Sequence, residues 1–103
     1  MAICGACNRD MATSDGCGVS FVVIGGKKYE RIKRGSKRDM FPTWYGRCHD
    51  CGARRGQYHH MMCDVERCPA CGGQMFLCGC DDVLYGGVVS RNEVIARENK
   101  LQL

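Results

Sequence analysis

Only eight of the 103 residues are aromatic and only two are proline, and no apolar run approaches the roughly 18 residues a membrane helix needs. So few large apolar side chains exclude a fold held mainly by a broad hydrophobic core. The length excludes a large α/β enzyme fold and leaves room for one domain, or two very small ones. The first residues, Met1-Ala2-Ile3-Cys4, lack a basic n-region, an apolar h-region and a cleavage site. No secretory signal peptide is therefore expected. A chain kept in the cytoplasm holds its thiols reduced, so disulfides are not the expected cross-link.

Cysteine and glycine are what the chain has in excess, at ten and fourteen residues. Their combination reads as a turn-rich scaffold held by cross-links, and reduced thiols in C-x-x-C pairs read as metal ligands. The formal net charge is +4, but it is unevenly spread. Residues 27–47 carry eight cations (Lys27, Lys28, Arg31, Lys33, Arg34, Lys37, Arg38 and Arg47) against Glu30 and Asp39. A basic block between near-neutral cysteine modules suggests an anionic partner.

The head holds Cys4-x-x-Cys7 and Cys17. Phe21-Val22-Val23-Ile24, the turn signal Gly25-Gly26 and a return strand from Lys27 to Arg34 read as a β-hairpin. Period two would place Lys27, Tyr29, Arg31 and Lys33 on one face. Residues 35–47 read as a loop anchored by Trp44 and Tyr45, and residues 81–87 as a turn-rich exit. Ser90 and Glu93 form a capping box, with Val89 and Val94 at the hydrophobic-staple positions, which predicts a C-terminal helix. The expected fold is a small metal-stabilised β/loop domain of zinc-ribbon or zinc-knuckle type, with one β-hairpin and a short C-terminal α-helix. Residues 1–47 would be a Cys-rich head with the basic hairpin. Residues 48–103 would be a double zinc-knuckle module with the helix, both parts forming one compact unit.

Seven cysteines and all three histidines fall in residues 48–80. The pairs are Cys48/Cys51, His60/Cys63, Cys68/Cys71 and Cys78/Cys80. A C-x-x-C turn aims two thiolates at one point, and four such donors close a tetrahedral site for structural Zn²⁺. Gly52 and Gly72 directly follow two of the pairs, where a left-handed residue relaxes the turn. Sequential pairing gives Cys48, Cys51, His60 and Cys63 for one ion, and Cys68, Cys71, Cys78 and Cys80 for the next. Cross-brace pairing would interleave them. A zinc-ribbon layout would instead join Cys4/Cys7 to Cys48/Cys51 around the hairpin. Cys4, Cys7 and Cys17 lack a fourth donor. His59, His49 or Asp15 could supply it, or the trio could borrow a ligand from the central cluster. Two zinc ions are expected, and a third where that donor is found. Iron is the alternative metal, although no ferredoxin spacing is present.

The stretch Cys48-x-x-Cys51-Gly52, His59-His60-x-x-Cys63-Asp64-x-Glu66-x-Cys68-Pro69-x-Cys71-Gly72-Gly73-Gln74 and Cys78-x-Cys80 resembles small zinc-ribbon-like Cys-rich proteins of bacteria and their phages, actinobacterial phages among them. The head, with Cys4-x-x-Cys7, Met11-Ala12-Thr13 and Cys17, is similar too. Family members place Pro-Gly between the second His and the Cys, where this chain has Met61-Met62. The resemblance implies metal binding and, for a phage-encoded member, residence in the host cytoplasm. It brings no activity with it.

The first function expected is nucleic-acid binding, through Lys27, Lys28, Tyr29, Arg31, Lys33, Arg34, Lys37 and Arg38. Phosphates would meet the cations, and bases would stack on Tyr29, Phe41, Trp44 or Tyr45. The alternative is a protein-interaction module binding a host or cellular protein. A remote alternative is an HNH-like nuclease built on His59-His60. That site needs a further His on the following helix, and the C-terminal stretch offers Asn92 and no His. A zinc deaminase would need H-x-E, which is absent. No catalytic residue and no membrane partner are expected.

Overall fold

The computed structural model describes residues 3–80, 82–86 and 89–92. Strand β1 (Phe21–Ile24) and strand β2 (Lys27–Glu30) form the predicted hairpin, with Phe21 opposite Glu30 and Ile24 opposite Lys27. Gly25 and Gly26 turn it at φ 58° and 82°. Positive φ at both central residues is the two-residue turn whose twist matches the flanking strands.

The return strand is shorter than its sequence suggests. The chain leaves the sheet after Glu30, because Arg31 and Ile32 both turn inward and are buried. The segment read as a turn-rich exit holds strand β3 (Leu84–Tyr85), which pairs antiparallel with β1. Strand β4 (Val89–Ser90) pairs with β3, giving the order β2-β1-β3-β4. Val89 and Ser90, expected at the staple and cap of a helix, are strand residues. Arg91 and Asn92 have helical backbone directly after Ser90, and the rest of the predicted helix, from residue 93 onward, lies outside the described residues.

Alternation along β1 buries Val22 and Ile24 and leaves Phe21 and Val23 half-covered. Under them sit Met61, Met75, Val83 and Tyr85, together with Cys4, Cys17 and Cys68. A second, smaller cluster gathers Ala53 with Cys48, Cys51 and Cys63. Tyr85 is the one Phe, Trp or Tyr ring in this buried set; the other large members are Arg34, His59, His60, Glu66 and two methionines. Charged and ligand-type side chains occupy volume that Phe and Leu would fill in a larger domain.

Arg31 replaces a core apolar group with a network. It is 2% exposed, and its guanidinium reaches Glu66 Oε2 at 2.8 Å. It donates to Val19 O at 2.9 Å and also to His59 O. Tyr85 Oη donates to the other Glu66 oxygen at 3.2 Å. Burial alone would lower the Arg31 pKa, but the facing Glu66 carboxylate, together with Cys17 and Tyr85, more than offsets this and raises it. The nucleic-acid role expected for Arg31 is thereby corrected: its donors are spent inside the fold. Arg34, 1% exposed, is likewise internal and donates to Trp44 O and Gly46 O. The run of cations looked like one solvated face because the sequence does not reveal that Glu66, 35 residues away, enters the core opposite Arg31.

Candidate metal centres and basic face

Three short segments share one backbone pattern. Cys4 N donates to Arg9 O, Cys48 N to Ala53 O and Cys68 N to Gly73 O, at 2.9, 2.8 and 2.7 Å. In each, the residue after the second cysteine donates back to the first cysteine's carbonyl: Asn8 to Cys4, Gly52 to Cys48 and Gly72 to Cys68. That residue has positive φ every time, at 62°, 81° and 76°. The sequence offers a signal for the first knuckle as well, since Asn is the non-glycine residue that best tolerates this conformation. At Gly52 the demand is doubled, because a Cβ there would lie 2.3 Å from Met11 O.

These turns gather the donors into three quartets: Cys4, Cys7, Cys17 and His60; Cys48, Cys51, His59 and Cys63; Cys68, Cys71, Cys78 and Cys80. Within each, all four donor atoms lie within 4.8 Å of one another. The third quartet is the sequential pairing. The second corrects the expected set, because His59 and not His60 joins Cys48, Cys51 and Cys63. His60 completes the head trio, so Asp15 and His49 are not its fourth donor. Neither the cross-brace nor the ribbon pairing of Cys48/Cys51 forms. The exchange of histidines has a simple cause. Adjacent residues of an extended segment point to opposite sides, so His59 and His60 serve different centres.

The distances test the fit. With Zn–S near 2.3 Å and Zn–N near 2.05 Å, a tetrahedral ion sets S···S edges of about 3.8 Å and S···N edges of about 3.5 Å. Cys48 and Cys63 are 3.7 Å apart, Cys68 and Cys80 3.8 Å, and Cys4 and Cys17 4.0 Å. His59 Nδ1 is 3.5 Å from both Cys51 Sγ and Cys63 Sγ, and His60 Nδ1 is 3.6 Å from Cys7 Sγ. All ten cysteines are free thiols. The quartets fit single ions with Cys₃His, Cys₃His and Cys₄ donor sets, the chemistry of structural zinc.

Crowding makes the donors share protons unequally. The neighbouring Cys17 thiol draws Cys4 down to about 7, and the same contact pushes Cys17 up to about 11. Cys51 and Cys63 draw Cys48 down, and Cys48 and Cys51 push Cys63 up. Burial would lower His59, but Cys48, Cys51 and Asp39 raise it to about 11. Each such cluster drives one thiol toward the thiolate and holds its neighbour protonated, and a divalent cation would let both ionise.

Both histidines have their outer nitrogen engaged. His60 Nε2 lies 3.0 Å from Ser14 Oγ, and His59 Nε2 lies 2.9 Å from buried Asp39 Oδ1. A carboxylate behind a ligating imidazole fixes its tautomer and orientation. Asp39 Oδ2 also accepts Gly35 N at 2.7 Å, so one side chain braces a metal ligand and the basic loop together. Replacing Asp39 by alanine should weaken metal affinity at the His59 centre about 10–100-fold and spare the other two. Competition with a chromophoric chelator measures this, and three unchanged affinities would refute the brace.

The third centre is more open, with Cys71 exposed and Cys78 and Cys80 half-buried. Gly73 N donates to Cys71 Sγ at 3.4 Å and lowers that thiol's pKa. Arg91 Nη1 donates to Met75 O at 2.6 Å and lies 3.7 Å from Cys78 Sγ, tying the end of the described chain to this centre.

Of the residues expected to meet nucleic acid, Lys27, Lys28, Lys33, Lys37 and Arg38 are exposed and Tyr29 is half-buried. Lys33, Ser36, Lys37 and Arg38 line a groove of about 380 Å³, with Glu30 at its edge. In the loop, Trp44 stacks between Phe41 and His49, with ring centroids 4.2 and 4.1 Å away. Tyr45, expected as an anchor, is 92% exposed. Among the described residues, no helix is long and apolar enough to cross a membrane. Compared with known protein families, curated proteins and solved structures, the chain matches none.

Proposed function

We propose that this is a structural zinc protein that binds nucleic acid, its ions holding a basic surface in shape. The Asp39 brace carries the reading: it couples a ligand of the central centre directly to the loop that bears Ser36, Lys37 and Arg38. Closed four-donor sets leave no position for a reacting water, which favours a structural role over a catalytic one. The exposed lysines and Arg38 give the electrostatic footprint that phosphate contacts need.

Elemental analysis should find three zinc atoms per chain; iron, or fewer than two zinc atoms, would overturn the metal assignment. Replacing Lys33, Lys37 and Arg38 together by glutamine should weaken nucleic-acid binding and lower its salt slope by about 2, close to 0.7–0.9 for each phosphate contact. Filter binding over a salt series checks both. A wild-type protein with no affinity even in low salt, and one nuclease-insensitive protein partner in a pull-down, would favour the protein-interaction reading instead.

A further inference from the structure

The loop at residues 42–47 is held by arginines as well as by the Phe41–Trp44–His49 stack. Arg34 Nη2 donates to Trp44 O at 3.0 Å and to Gly46 O at 2.9 Å. Arg55 Nη1 donates to Pro42 O at 2.7 Å and shares Trp44 O at 3.3 Å. Arg47 Nη1 donates to Ser14 O and Gly52 O, at 2.7 and 3.0 Å. Arg54 Nε contacts Asp15 at 3.0 Å, both side chains largely exposed. Gly46, Arg47, Arg54 and Arg55 together line a shallow pocket of about 390 Å³.

The local charge is unbalanced. Among the described residues, the Arg54–Asp15 contact is the one ion pair these four guanidinium groups make. Arg34 is buried beneath the loop, and its Nε and Nη1 have no hydrogen-bond partner. A buried cation without a counter-ion is costly unless an anion lies close by. The backbone carbonyls fix Arg47 and Arg55 in place, so little side-chain freedom remains to be lost on binding. Next to Gly46 of the pocket stands Tyr45, at 92% the most exposed large hydrophobic side chain among the described residues. Arg55 Nη2 also reaches Gly35 O at 3.4 Å, which ties the pocket to the backbone next to Ser36, Lys37 and Arg38.

We infer that the Arg47–Arg54–Arg55 pocket takes a backbone phosphate of single-stranded nucleic acid, and that Tyr45 stacks on the adjacent base. Arg34 acts through its charge from below. An unpaired strand is specified because a lone exposed ring reaches a base face only where the base is unstacked. The assignment rests on the nucleic-acid reading and extends it to residues outside the 27–38 segment.

The test uses the zinc-loaded full chain and a short oligothymidylate, read by the fluorescence of Trp44, the one tryptophan. Tyr45→Ala should weaken binding roughly tenfold, while Tyr45→Phe keeps it. Arg54→Gln should weaken it several-fold and lower the salt slope by about 0.7. If Tyr45→Ala and Arg54→Gln bind normally while the Lys33/Lys37/Arg38 variant does not, the pocket is overturned and the nucleic-acid reading stands. If the wild-type chain binds no oligonucleotide in low salt, both fall. Inorganic phosphate binding as tightly as the oligonucleotide would make this a small-anion site and overturn the assignment.

Discussion

Incubation with an excess of a strong chelator should convert the protein to an unfolded chain, and restoring zinc should refold it. The strands are four, four, two and two residues long. Such elements are marginal alone in water. Structural zinc supplies an apparent 10–16 kcal/mol or so per site in finger peptides, against total native stabilities of about 5–15 kcal/mol. All three quartets contribute to the apolar clusters, Cys4, Cys17 and Cys68 beside Val22 and Met61, and Cys48, Cys51 and Cys63 around Ala53. Losing the ion from either Cys₃His quartet would therefore leave three partly charged thiols and an imidazole crowded inside a core. Circular dichroism and Trp44 fluorescence report the transition. A spectrum unchanged after verified metal loss would overturn the structural role.

Glu66→Ala is the point substitution outside the ligands with the largest expected effect, about 3–5 kcal/mol, because it leaves the Arg31 guanidinium buried and unpaired. It also removes the acceptor for Tyr85 Oη, the hydrogen bond that ties this β3 hydroxyl to the buried network. In a domain this size that loss approaches the whole stability. Denaturant unfolding under saturating zinc measures it. The double variant Arg31→Met/Glu66→Leu should recover much of the loss, since apolar groups of similar volume often replace a buried pair at little cost. A Glu66→Ala variant within about 1 kcal/mol of wild type would show that the pair is not paired in solution, as that is the range of exposed ion pairs.

The donors were legible because metal chemistry leaves a local trace: C-x-x-C with a left-handed residue after it is a pattern within six positions. Cys78-Gly79-Cys80 could be joined to Cys68/Cys71 for the same reason. The histidine exchange was not legible. Either neighbour satisfies the spacing, and the residue that distinguishes them, Asp39, lies 20 positions from His59. The hairpin followed from Gly25-Gly26, whereas β3 and β4 are only two residues each, too short for any period to show. Arg31 and Arg34 were misplaced for a related reason. A cation's exposure depends on what folds against it, and their carbonyl and carboxylate partners come from distant segments.

The peptide bond between His59 and His60 has one further consequence. It ties two centres whose other donors come from residues 4–17 and residues 48–63, while the third centre draws only on residues 68–80. Filling the central site fixes the backbone at His59, and with it the position of the neighbouring imidazole. The long loop from Cys17 to His60 then closes against a target already in place, and much of its entropic cost has been met. In the zinc-loaded protein we propose, two ions thus enter and leave as a linked pair, and the third behaves as an independent site.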